Sequence, residues 1–197
     1  MRLLLAVPLL VPALAMGAPV PDYYVRAEAL AAQFSADEFD ESARGGSLAL
    51  GTRWNDFVAV EVFYTDLGRP EGGRLVCEGS LGCAGFAGEF DARTYGGGLN
   101  LRYPVADTDV SFGGVVGIHR IDLEGDYSTG GFPGAIFEPV EQSETHAYLG
   151  IQLAYTVSPT VVVLGRWTRY NVDDAFPSGS GRSFDPTVFS FGIEYHW

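Results

Sequence analysis

Two histidines are the residues of this chain whose type and placement come nearest to catalytic or metal-binding chemistry. His119 and His146 fall on the same face of neighbouring predicted strands, where an imidazole pair can act as a general base or bind a metal. The G-x-S-x-G, H-E-x-x-H, P-loop and dinucleotide-binding motifs are absent from the sequence. Interior histidines that only form hydrogen bonds are therefore the better interpretation. We predict a non-catalytic protein without metal or cofactor, and a lipid-modifying membrane enzyme is the alternative.

The two cysteines, Cys77 and Cys83, lie in a glycine-rich polar stretch. An exported chain meets an oxidising compartment, where two cysteines this close in sequence form a local disulfide. Closing so short a loop restricts the unfolded chain by only about 2 kcal/mol. We therefore predict a disulfide that pins a surface loop. Two free thiols are the alternative, and the chain has too few further ligands to favour zinc.

Charged residues recur on one face of the segments in which polar and apolar residues alternate. Buried charges persist only when they are paired and hydrogen-bonded, and arginine binds carboxylates through two parallel hydrogen bonds. The excess of acid lies elsewhere, in loops, turns and ends. We predict an internal ion-pair network. For two of its members, Arg26 and Arg53, contact with water is the alternative. The network comprises Arg26, Glu28, Arg53, Glu61, Arg102, Arg166 and Glu194.

The alternation itself predicts about eight strands from Tyr23 onward, and the last strand shows it best. Three connections are tight turns, at 54–56, 104–108 and 157–159, whereas the connections between them are long, polar and rich in glycine and acid. An up-and-down meander with this rhythm places every tight turn at one end and every long loop at the other. The predicted long loops are 34–44, 67–89, 123–144 and 173–185.

The composition supports a β-rich fold and excludes several classes of protein. Hydrophobic residues make up 47% of the 197 residues and charged residues 19%, with 26 glycines, which excludes a disordered acidic chain and fits a helical bundle poorly. All 12 basic residues are arginine, and the net charge is -13. A nucleic-acid partner is excluded because nothing in the chain can neutralise a run of phosphates.

The residues of the polar face indicate which side of the barrel meets lipid. A water-facing surface is crowded with lysine and glutamate, but this face has no lysine and is mostly glycine, alanine, serine, threonine and tyrosine. Small residues suit the narrow interior of an eight-stranded barrel. We predict apolar side chains toward lipid and polar ones toward the lumen, and a soluble barrel of the opposite arrangement is the alternative.

Aromatic residues give a second indication of a membrane. They gather at both ends of the predicted strands with an aliphatic band between them, as a bilayer interface selects. At the tight-turn ends they are Tyr23, Trp54, Tyr103, Tyr155 and Trp197, and toward the loop ends they are Tyr64, Tyr95 and Trp167.

The first residues have the pattern of a secretory signal. Arg2 precedes an apolar run from Leu3 to Met16, and small residues follow at Gly17 and Ala18. The run is shorter than the roughly 20 residues of a spanning helix. We predict a signal peptide at 1–17 and one β-barrel domain at 18–197.

The chain resembles the OmpA-type outer-membrane β-barrel family over the whole predicted mature part. The resemblance rests on Tyr24-Val25, on the stretch 51–56 at the first turn, on 60–64, and on the terminal stretch 192–197, which ends in an aromatic residue. It implies an eight-stranded barrel in the bacterial outer membrane whose last strand is recognised by the barrel-assembly machinery. It also implies a lumenal salt-bridge network at Glu61, Arg102, Arg166 and Glu194. Phe63 departs from the family, which often has glycine there.

These features together predict a non-catalytic surface barrel that contributes to envelope integrity or adhesion through acidic loops. The expected partners are outer-membrane lipid and lipopolysaccharide. A narrow pore or small-solute channel is the alternative, which the bulk of Phe63, Tyr148 and four arginines weakens. Acidic residues of the first loop can recruit Ca²⁺ or Mg²⁺, although a merely solvated loop is the better interpretation. They are Asp37, Glu38, Asp40 and Glu41.

Overall fold

The computed structural model describes residues 22–36, 39–77, 83–131, 136–171 and 186–197, with the backbone alone for parts of the loop-side strands. Within these ranges no helix is long and apolar enough to cross a membrane. The strands are β1 (Asp22–Ala36), β2 (Phe39–Arg53), β3 (Val58–Gly68), β4 (Glu71–Cys77), β5 (Cys83–Pro104), β6 (Val110–Gly131), β7 (Ile136–Ser158), β8 (Val161–Tyr170) and β9 (Thr187–His196).

The strands form a closed antiparallel barrel with eight positions around its wall. The hydrogen-bonded order is β3-β2-β1-β9-β8-β7-β6-β5-β4, and pairing of β3 with β5 closes the ring. β3 and β4 lie end to end along β5 and occupy one position, because β3 pairs with its second half and β4 with its first half. This arrangement confirms the predicted eight-stranded up-and-down barrel, with tight turns near Asn55, Asp107 and Pro159.

A β-bulge separates β3 from β4. The register with β5 shifts between Asp66 and Gly68, and Gly68 has a φ of 85°, a conformation that glycine adopts without steric cost. The amide of Gly68 donates a 2.9 Å hydrogen bond to Oδ1 of Asp66. The bulge therefore lets β4 follow β3 along β5 at the same position of the barrel wall.

The strands on the loop side run further than the alternation predicts. The predicted loops at 34–44, 67–89 and 123–144 consist largely of paired strand, including β4 and the outer halves of β5, β6 and β7. The physical reason is that side chains stop alternating where lipid no longer covers the sheet, whereas the backbone hydrogen bonds of a hairpin continue. The fourth predicted loop, 173–185, lies outside the described residues.

Burial follows the period of two along most of the described wall and breaks in glycine-containing stretches such as 45–47 and 96–98. Outward residues such as Val62 at 58% and Phe191 at 65% are exposed, although they are apolar. Inward positions on the same strands include Glu61 at 1% and Glu194 at 0%. Apolar residues outside and ionic residues inside are the arrangement of a transmembrane barrel, not of a water-soluble one.

Candidate functional site

The lumen contains a layer of hydrogen-bonded charges centred on Glu61 of β3. Arg26 of β1 binds this carboxylate through two nitrogens, with Nη1 2.8 Å from Oε2 and Nη2 3.1 Å from Oε1. Arg166 of β8 donates to Oε1 at 3.2 Å, and both the Glu61 and Arg26 side chains are fully buried. One carboxylate therefore neutralises part of two guanidinium groups.

Glu28 supplies the second carboxylate of this layer. Its Oε2 accepts from Nε of Arg26 at 3.2 Å, and its Oε1 accepts from the hydroxyl of Ser190 at 2.9 Å. Nε of Arg166 lies 4.0 Å from the same Oε1. Two arginines thus face two carboxylates in the middle of the lumen.

A second layer lies nearer the turns and is centred on Glu194 of β9. Arg102 of β5 donates to both of its oxygens, at 2.9 and 3.0 Å. Arg53 lies 3.7 Å from Oε1, and 30% of its side chain is exposed, so water reaches Arg53 while Arg26 is shielded from it. All seven charged residues predicted for the lumen therefore lie in two connected layers.

Other polar residues complete the layers, and the sequence analysis did not single them out. The Tyr24 hydroxyl donates to Glu61 at 2.9 Å, Asn100 donates to it at 3.1 Å, and Gln152 accepts from Arg166 at 3.0 Å. His196 bridges two acids, with Nε2 2.7 Å from Glu194 and Nδ1 3.0 Å from Asp22. The only indication in the sequence was that these residues fall on the inward face of the alternation. Residue type alone does not show which inward residues bind the charged side chains.

Aromatic side chains fill the lumen on the loop side of the charges. Phe63, which faces inward as predicted, makes an edge-on contact with Tyr148 at 5.2 Å between ring centroids, and Tyr148 lies 5.8 Å from Tyr170. Tyr148 fits because the neighbouring strands β5 and β6 carry glycines beneath its ring: a Cβ at Gly98 would lie 2.6 Å from its hydroxyl, and one at Gly117 would lie 2.7 Å from its ring. The narrow interior is therefore occupied at this level as well.

The two histidines lie opposite each other in the register of β6 and β7. Their ring centroids are 6.4 Å apart. Nδ1 of His119 lies 2.9 Å from the Thr94 hydroxyl, and Nε2 of His146 lies 2.8 Å from Glu144. Each ring thus has its own polar partner. Among the described residues, no group of three His, Cys, Asp or Glu side chains can hold a metal ion.

The aromatic residues predicted for the membrane interfaces lie on the outer surface, in two sets at opposite ends of the strands. At the turn end, Tyr23 and Trp197 stack with ring centroids 6.5 Å apart. At the loop end, Tyr64 pairs directly with Tyr95 across β3 and β5. Trp54, Tyr103 and Tyr155 are exposed, and Trp167 is half-buried.

Two other groups of predictions lie partly or wholly outside the described residues. The backbone register pairs Cys77 with Cys83, but their side chains are outside the described set, so the disulfide stays a prediction. The signal peptide at 1–17 and the residues Asp37 and Glu38 are outside it, as are the side chains of Asp40 and Glu41.

Comparison with known families gives one match that covers nearly the whole chain. A family profile described as "Outer membrane protein beta-barrel domain" matches residues 3–196. No sequence among curated proteins matches the chain.

Solved structures with the same fold come from several bacteria. Ail, the attachment invasion locus protein of Yersinia pestis, superposes with a TM-score of 0.54 and 16% identity over 89% of this chain and 98% of Ail. Neisserial surface protein A gives 0.54 and 15% over 88% and 96%. A major outer membrane protein from Thermus thermophilus gives 0.58 and 13% over 91% and 100%. At these identities the likeness concerns the fold.

Proposed function

Because the chain belongs to the outer membrane protein β-barrel domain family, we propose that it is a non-catalytic outer-membrane barrel whose lumen is plugged by its own side chains. Its location in the bacterial outer membrane follows from the family. The plug, the absence of catalysis and the role of the loops are the proposal. The observation that carries it is the pair of ion-pair layers that crosses the lumen.

Two ion pairs support a plug because they join opposite walls of the barrel. β3 and β8 are four positions apart in either direction around the ring, as are β5 and β9. Glu61 therefore reaches Arg166 across the diameter, and Arg102 reaches Glu194 in the same way. An ion passing along the axis would have to displace a buried pair, which costs several kcal/mol when one charge loses its partner.

The role proposed for the exposed end is adhesion or envelope integrity through acidic loops. Ail has been crystallised with sucrose octasulfate, a heparin analogue. A polyanion of that kind does not suit the present chain, whose net charge is -13 and whose first loop carries Asp37, Glu38, Asp40 and Glu41. We therefore infer a partner with basic groups, since electrostatic complementarity governs encounter between charged surfaces.

Planar-bilayer recording of the refolded full chain tests the plug. The wild-type barrel is expected to show no reproducible unitary conductance, because both ion-pair layers block the axis. A variant with Phe63→Ala and with both cross-lumen pairs removed, Glu61→Ala with Arg166→Ala and Arg102→Ala with Glu194→Ala, is expected to show discrete openings, because no ion pair then joins opposite walls. Stable conductance in the wild-type chain contradicts the plug and supports the narrow-pore alternative.

A matched control separates the plug from general damage to the barrel. Val60→Ala and Val62→Ala remove two lipid-facing side chains from β3, the strand of Glu61 and Phe63, and Leu99→Ala removes one from its neighbour β5; all three residues are exposed. This variant is expected to remain closed. Heat-modifiable migration in detergent gels shows that both variants are folded before any recording is interpreted.

The proposed role of the loops is tested by adhesion of cells that display the barrel. Replacing the four acids of the first loop by their amides is expected to reduce binding to a surface coated with polylysine and to leave binding to heparin unchanged or stronger. The control replaces Asp107 and Asp109 by asparagine in a periplasmic turn, where no external surface reaches them. Undiminished binding to polylysine after neutralisation of the loop contradicts the proposed role.

A further inference from the structure

Two buried polar atoms in the lumen have no hydrogen-bond partner among the residues that the structure describes. They are the hydroxyl oxygen of Tyr148 and Nε of Arg166. Tyr148 is 2% exposed, and the Arg166 side chain is 7% exposed, so both groups are shielded from bulk water. Unpaired buried donors and acceptors destabilise a folded protein, and native structures contain few of them. Each of these two groups therefore calls for a partner that the surrounding side chains do not supply.

Arg166 uses its other two nitrogens within the chain. Nη1 donates to Glu61 at 3.2 Å, and Nη2 donates to Gln152 at 3.0 Å. The carboxylate nearest to Nε is Glu28, whose Oε1 is 4.0 Å away, which is too far for a direct hydrogen bond. A donor and an acceptor at this separation are within reach of a single bridging water.

Both unpaired groups belong to residues that line the same small cavity of the lumen. The cavity has a volume of about 10 Å³, which is close to the smallest that holds one water molecule. Four hydroxyl-bearing side chains contribute to its wall. They are Ser47, Thr65, Thr168 and Ser190. Apolar cavities stay dry, whereas a polar cavity that offers two to four hydrogen-bonding groups retains water.

The cavity is closed toward both ends of the barrel. Leu30 and Val188, which line it, are the next inward residues toward the loops after Glu28 and Ser190, and both belong to a buried apolar cluster. Phe63 also lines the cavity and packs against that cluster. On the other side lie the ion-pair layers. A molecule in the cavity is therefore held in a fixed place and does not exchange freely with solvent.

The surroundings select a neutral ligand that both donates and accepts hydrogen bonds. The nearest charges balance, because Arg26 and Arg166 face the carboxylates of Glu28 and Glu61. An additional anion or cation would be a buried charge without a partner, and a molecule larger than water exceeds the volume.

We propose that the cavity binds one internal water molecule. It accepts hydrogen bonds from Nε of Arg166 and from the Tyr148 hydroxyl, and it donates one to Oε1 of Glu28. The water thus connects the Glu61 layer to the aromatic side chains above it. This site goes beyond the proposed function and does not depend on whether the barrel conducts ions.

A crystal structure of the refolded full chain, at a resolution that shows ordered waters, tests the site directly. One density peak is expected in the cavity, about 2.7–3.2 Å from Nε of Arg166 and from the Tyr148 hydroxyl. An empty cavity in a map that shows ordered waters elsewhere in the protein overturns the proposal. Anomalous scattering from the peak in crystals soaked in bromide assigns the cavity to an anion and also overturns it.

The stability of Tyr148→Phe gives an independent test, because the two interpretations of this hydroxyl predict opposite signs. If the hydroxyl binds a water, its removal is expected to raise the equilibrium constant of unfolding about five-fold. Removal of an unpaired buried hydroxyl stabilises the barrel or leaves that constant unchanged, and either result counts against the water. The matched control is Tyr155→Phe on the same strand, β7, where the residue is 49% exposed on the lipid side, and no change is expected.

A second substitution distinguishes the water from an additional partner within the chain. Arg166→Lys removes the Nε–H group, so in this background the effect of Tyr148→Phe is expected to fall to about two-fold or less, since groups that share a partner are coupled. An undiminished five-fold effect would mean that Tyr148 has a different partner and would refute the bridge. Urea unfolding in phospholipid vesicles gives the constants, and heat-modifiable migration establishes that each variant is folded. The current recordings test the plug separately.

Discussion

Arg102 and Glu194 stand on opposite walls of the barrel, and their side chains meet in the lumen through two hydrogen bonds of 2.9 and 3.0 Å. The two residues are 92 positions apart in sequence, so this contact exists only when the barrel is closed. The pair therefore links the chemistry of the lumen to the completion of the fold. A guanidinium and a carboxylate in so narrow a space stabilise each other, because either one alone is a buried charge.

A double-mutant cycle on Arg102→Gln and Glu194→Gln should give strongly non-additive effects on stability. Each single change leaves a buried charge without its main partner and is expected to lower the free energy of unfolding by about 3 kcal/mol. The double change removes both charges, and the coupling is expected to be about 1–3 kcal/mol. The measurement is urea unfolding in phospholipid vesicles, followed by heat-modifiable migration.

The matched control for this cycle is the pair Arg69 and Asp91, which lies on the loop side with the arginine 61% exposed. Solvent screens such a pair, so its coupling is expected to stay below about 1 kcal/mol. Equal coupling in the two cycles would show that Arg102 and Glu194 are no better shielded than a surface pair.

Glu61→Gln should be the most damaging single neutralisation in the lumen. Glu61 accepts hydrogen bonds from Tyr24, Arg26, Asn100 and Arg166, and an amide in its place would leave two guanidinium groups short of negative charge. We expect a loss of about 3–5 kcal/mol in unfolding free energy. Asp107→Asn is the control, because it makes the same chemical change in an exposed turn with a φ of 60° that asparagine tolerates.

The sequence predicts which charged side chains face the lumen, but it does not predict which of them pair. Alternation places Glu61, Arg102, Arg166 and Glu194 on the inward face, because side-chain direction follows from a period of two. Which residue meets which depends on register and on closure of the ring, and these arise from interactions between distant strands. His196 illustrates the limit: its inward position follows from the pattern, but its contacts with Glu194 and Asp22 do not.

The lengths of the strands were predicted less well than their number. Hydrophobic alternation marks the part of a strand that lipid covers, so Val58 to Thr65 could be recognised as one strand. The stretch Glu71–Cys77 carries no such pattern, yet its backbone pairs with β5 throughout. Hairpin extension beyond the bilayer leaves no periodic signal, because neither face of that sheet has to match hydrocarbon.

The predicted disulfide should protect the tip of the β4–β5 hairpin against proteolysis. The register brings Cys77 opposite Cys83, and a bond there would restrict residues 78–82 while adding only about 2 kcal/mol by loop closure. Reduction, or Cys77→Ser with Cys83→Ser, is expected to accelerate cleavage by endoproteinase Glu-C at Glu78 at least ten-fold. Intact-mass analysis after alkylation gives the oxidation state, and two alkylated cysteines in the untreated protein would contradict the prediction.

Single-tryptophan variants should place the two aromatic sets at opposite membrane interfaces. Trp197 at the turn end and Trp167 at the loop end lie on the outer surface with an aliphatic band between them, so each ring is expected near the head groups of one leaflet. Nitroxide lipids labelled near the head group should quench both residues more strongly than lipids labelled near the chain terminus. An outward aliphatic position changed to tryptophan, Val60→Trp, is the control and should show the reverse order, because Val60 pairs with Leu99, midway between Tyr95 and Tyr103 on β5. Strongest quenching of Trp197 by the terminal label would place that end of the barrel inside the hydrocarbon and contradict the assignment of the band.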